Sequence, residues 1–109
     1  MLSKPTYDSR LYDLPCAGIM QANETIATIV SITCDQGALT FGTPAINSAV
    51  TSYGAPIGTV IQVQISAGTI PAGMASLPCT ITAKITGSIN PNQMAWRDIL
   101  VLDDTVGVD

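Results

Sequence analysis

The chain has no histidine, only four basic residues among 109, and an aromatic content of 5%. Each shortage excludes something. Without histidine, the Ser–His and Cys–His pairs of nucleophilic catalysis lack their usual base. No glycine-rich loop leads into a helix to cradle phosphate, and no carboxylates pair at helical spacing. The chain is therefore read as no enzyme and as needing no cofactor. Lys4, Arg10, Lys84 and Arg97 are scattered and the net charge is −4, so there is no basic stripe to neutralise phosphates and nucleic-acid binding is not expected. No apolar run approaches the ~20 residues that cross a bilayer. The opening Met1-Leu2-Ser3-Lys4-Pro5-Thr6-Tyr7-Asp8 lacks the apolar core of an export signal, so no membrane association is expected.

Charge is scarce as well. Charged residues make up 11% of the chain, against roughly 25% in ordinary soluble domains. The deficit is concentrated, because no charged side chain occurs from residue 36 to residue 83. A domain this small cannot bury all of that stretch, so much of its surface is Ser, Thr, Asn, Gln and Gly. Interface cores are likewise depleted of charge, which makes the middle of the chain the expected contact region. Ile57, Ile70 and Met74, apolar residues in its loops, are the candidate partner contacts. Ile70 and Met74 have a second reading, as residues tucked beneath their own loop. Asp103-Asp104, with Asp109, offer too few oxygens for the six to eight that calcium takes, so no metal site is assigned.

What remains is hydrophobic and β-branched. Apolar residues reach 47% with a mean hydropathy of +0.39, which excludes disorder, and the length suits one domain. Apolar residues recur at period two, not 3.6. Thr59–Ser66 places Ile61, Val63 and Ile65 on one face and Gln62, Gln64 and Ser66 on the other. Leu77–Thr86 alternates Leu77, Cys79, Ile81, Ala83 and Ile85 with Pro78, Thr80, Thr82, Lys84 and Thr86. Thr25–Cys34 puts Ile26, Val30, Ile32 and Cys34 inward. Leu11–Leu14, Ala38–Phe41, Ala45–Tyr53 and Met94–Leu102 complete about seven strands, separated by Gly-, Pro- and Asn-rich breaks. That spacing predicts an all-β, Ig-like antiparallel sandwich over residues 1–109, with 1–8 and 104–109 as extended arms. A meander barrel is the alternative architecture.

Cys16, Cys34 and Cys79 show no metal-type spacing, and an odd count without an export signal favours free thiols. Cys34 and Cys79 are expected to be buried, close together and reduced. The alternative is an inter-sheet disulfide like that of immunoglobulin domains.

Several segments, in order along nearly the whole chain, resemble small Ig-like virion proteins of tailed bacteriophages. They are Lys4-Pro5 with Leu11-Tyr12-Asp13-Leu14, then Asn23-Glu24-Thr25-Ile26-Ala27. Ile65-Ser66-Ala67-Gly68-Thr69, Thr80-Ile81-Thr82-Ala83-Lys84-Ile85-Thr86 and Arg97-Asp98-Ile99-Leu100-Val101-Leu102 follow. Ala67 stands where the pattern has glycine, and Pro78-Cys79 where it has tyrosine. The resemblance implies a virion component, assembled in the host cytoplasm and without catalytic residues. Within that class the expected role is a capsid decoration or cement protein on the assembled head, with the major capsid protein and copies of itself as partners. A neck, tail or fibre position is the alternative. A carbohydrate- or surface-binding module is the alternative of another class.

Overall fold

The computed structural model describes residues 2–5 and 9–103. Among them the secondary structure is β-strand apart from one 3-10 turn at Ala17–Ile19. The strands are β1 (Leu2–Pro5), β2 (Arg10–Pro15), β3 (Ile26–Cys34), β4 (Leu39–Phe41), β5 (Ala45–Ile46), β6 (Val60–Ala67), β7 (Ser76–Gly87) and β8 (Met94–Asp103). They form two sheets, in the orders β1-β8-β7-β3 and β2-β6-β4, with β5 also on β6. All pairings are antiparallel except β1 with β8. The fold is the Ig-like β-sandwich.

The alternation of β6 and β7 decides the core. Val63, Ile65, Cys79, Ile81, Ala83 and Ile85 are fully buried, Leu77 nearly so, and Gln64 and Lys84 point to solvent. Leu14 and Tyr12 of β2 lie opposite Ile61 and Val63. Leu100 and Leu102 of β8 complete the layer facing them. Trp96 lies opposite Ala83, so a small residue makes room for the one large ring in the sheet.

Four expectations need correction. Strand β3 does not hold one alternation, because its register against β7 slips between Ile26 and Thr28 and again between Ile29 and Ser31. Each slip is a bulge that adds one residue to β3, so the inward set is Ile26, Ile29, Ile32 and Cys34. Val30, expected inside, is 42% exposed. Secondly, the expected strand Ala45–Tyr53 stops at Ile46. Thirdly, Cys34 and Cys79 lie on adjacent strands of one sheet, so they cannot form an inter-sheet bridge. Cys34 pairs with Ile81, two residues from Cys79, and it is half-buried, not buried. All three thiols are free. Finally, part of the expected N-terminal arm is strand β1. Its Lys4 is fully buried and reaches across to donate to the Ala67 carbonyl at the end of β6. Residues 6–8 and 104–109 of the expected arms lie outside the described residues.

Candidate interaction surface

One end of the sandwich is made by three segments, 16–25, 47–59 and 87–93, and backbone hydrogen bonds join them. Cys16 N–H donates to Thr59 O (2.9 Å), Ile26 N–H to Gly58 O (2.8 Å) and Ser88 N–H to Thr25 O (2.8 Å). Two buried polar side chains hold the loops in place.

The first is Asn47, 3% exposed. Its Oδ1 accepts from the backbone N–H groups of Gly58 (3.0 Å), Thr59 (3.1 Å) and Val60 (2.9 Å). Its Nδ2 donates to the carbonyls of Ala49 (2.9 Å) and Pro56 (3.0 Å). All the hydrogen-bonding capacity commonly used by an amide is thus engaged, and the chain from 47 to 60 is a closed loop instead of a strand. An Asn among small residues carries no such signal in sequence, because its five partners are set by the path of the loop.

The second is Glu24, 2% exposed. Its carboxylate accepts from the N–H groups of Gln21 (2.9 Å), Ile89 (3.0 Å) and Asn90. Those bonds, Asn90's foremost, hold its carboxyl below the usual glutamate value against the opposing effect of burial. Gly87 passes so close to this carboxylate that a Cβ there would overlap it. Glu24 therefore clamps the β7–β8 hairpin to the segment leading into β3.

The three segments contain a single charged side chain, that of Glu24, and its charge is spent on backbone N–H groups. Around it the surface is uncharged, and three large apolar side chains stand out on it. Val50, Ile57 and Ile89 are 60%, 53% and 51% exposed, and a cleft of about 420 Å³ opens between Met20, Ala22, Thr25, Pro56 and Ile57.

The three sequence-derived contacts do not converge. Ile57 lies on the end just described. Ile70 and Met74 follow β6 at its far end, roughly 23 Å of strand rise away. Met74 is exposed, whereas Ile70 packs partly against the core. Sequence reasoning missed the contribution of segments 16–25 and 87–93, which lie outside the uncharged stretch and join the surface only through the fold.

Among the described residues no helix is long and apolar enough to cross a membrane, and no group of three or more Cys, Asp or Glu side chains is placed to hold a metal ion. Compared with known protein families, curated proteins and solved structures, the chain matches none.

Proposed function

We propose that this Ig-like domain is a non-enzymatic structural protein of a tailed-phage virion, a decoration protein that docks on the assembled head. One observation carries the docking mode. The end built by segments 16–25, 47–59 and 87–93 exposes Val50, Ile57 and Ile89, and its only charge is sequestered. Covering such a surface strands no buried ion, which would otherwise cost several kcal/mol. Backbone hydrogen bonds already join its segments, which reduces the conformational entropy lost on docking. The segment-by-segment resemblance supports the virion assignment, and a shell of major capsid protein is the partner it implies. A neck, tail or fibre position would use the same kind of surface, and copy number separates the two. A count matching the shell subunits means the head; a count matching a single ring means the neck or tip.

The test is Ile57→Asp, with particle incorporation and thermal midpoint measured together. Incorporation is expected to fall while the midpoint holds, since Ile57 is more than half exposed. Unchanged incorporation removes this end as the docking surface.

A further inference from the structure

A second cleft, of about 290 Å³, lies on the outer face of the β2-β6-β4 sheet beneath the loop that follows β5. Its floor is a cross-strand row. Asp13 of β2 and Ala45 of β5 flank Gln62 of β6, and the small alanine leaves the Gln62 amide uncovered on that side. Ser48, Thr51 and Ser52 form the wall. Among the described residues the Gln62 amide and the Ser48 and Ser52 hydroxyls have no protein partner. The Asn47 side chain also lines the cleft, but it is fully engaged with its own loop.

Tyr53 stands beside this row. Its hydroxyl donates to Asp13 Oδ2 (3.0 Å), and the residue is 58% exposed. The hydrogen bond engages one oxygen of a carboxylate that lines the cleft. Partial burial first, then Asp13, hold the phenol above its usual range.

We infer that this cleft is a binding site for one pyranose ring of a neutral saccharide. Several features select that chemistry. The lining has no cation, which disfavours phosphate, sulfate or carboxylate ligands. One carboxylate already shared with a tyrosine is a poor metal site. What remains is a carboxylate acceptor, an amide that both donates and accepts and two free hydroxyls, with a tyrosine hydrogen-bonded to the carboxylate beside them. Those are complementary to a ring that carries alternating hydroxyls and apolar C–H faces. The volume lies at the lower edge of small-molecule pockets, roughly 300 Å³, which limits the occupant to a single ring or one unit of a longer chain. The site shares Val50 and its loop with the end described above but uses neither Ile57 nor Ile89.

The experiment is titration of the ¹⁵N-labelled protein with maltotriose, cellotriose and triacetylchitotriose, followed by amide chemical shifts. At least one sugar is expected to give saturable shifts at Gln62, Thr51 and Ser52, with a millimolar Kd. Gln62→Ala and Tyr53→Ala should each weaken it about tenfold, the loss of roughly one hydrogen bond or ring contact. Thr82→Ala, on the other sheet, should leave it unchanged. Folding of each variant is checked by its amide spectrum. Failure of all three sugars overturns the assignment, because all share the pyranose ring. So does binding that ignores both substitutions. A lysine tripeptide shifting the same amides, where the sugars do not, also overturns it and makes Asp13 an ion-pair contact for a protein.

Discussion

Ala67 ends β6 with φ of +61°, in the left-handed region where a Cβ costs about 1–2 kcal/mol. The position is kept by its surroundings. Its carbonyl accepts from Lys4 and Leu39 pairs with it across the sheet. Glycine relieves the Cβ clash but adds about 0.5–1 kcal/mol of unfolded-state freedom. Ala67→Gly is therefore expected to raise stability by about 0.5–1 kcal/mol in urea unfolding, and Ala67→Val to lower it. At the same scale, burial pushes the Cys16 thiol up to about 12. Burial, and then the neighbouring Cys34, do the same to Cys79. A thiol is reactive as thiolate, so neither should alkylate in the native protein at pH 8. Half-buried Cys34 should react alone. Unfolding without reductant should release three free groups, and a count of one would reveal a disulfide.

At the scale of elements, the two bulges of β3 set which side chains count. Ile81→Ala, in the middle of β7, should cost about 2–5 kcal/mol. Val30→Ala should cost under about 1 kcal/mol, because Val30 is the extra residue of a bulge and faces solvent. Equal losses would mean that β3 keeps one unbroken alternation. β3 is also an edge strand without charge or proline, and bulges are one way to make such an edge unfit for pairing with another chain. The Glu24 clamp joins elements, and it is pH-dependent. Its folded pKa is depressed, so its contribution is complete above the ordinary glutamate value. That contribution is lost as pH falls through the lower folded value. The thermal midpoint of the native protein should drop on acidification below about pH 4.5, and Glu24→Gln should flatten that part of the profile. Identical acid profiles would remove the clamp from the account.

At the scale of the molecule, the sandwich separates the apolar loop residues into two ends. If only the Ile57 end docks, Met74→Asp should leave both incorporation and thermal midpoint unchanged, since Met74 is exposed at the other end. Ile70→Asp should lower the midpoint, because Ile70 packs on the core and a charge there is desolvated. Loss of incorporation in Met74→Asp as well would describe a protein that bridges two neighbours, one at each end.

The period-two patterns of residues 59–66 and 77–86 were enough by themselves to determine an all-β fold, the inward faces of its two best strands and a surface poor in charge. In a strand the side-chain period is a local property, and each central strand carries enough Ile, Val and Thr to leave one reading. Tertiary structure alone decided the rest. The bulges of β3 depend on pairing with β7, and nothing within Thr25–Cys34 marks the slip. The Asn47 loop and the Glu24 clamp need hydrogen-bond partners up to 66 residues away, so Asn47 and Glu24 look ordinary in the chain. The gathering of segments 16–25, 47–59 and 87–93 at one end follows from strand order, as does the separation of Ile57 from Met74. An uncharged run of sequence becomes a surface only where the sheets bring its loops, and others, together.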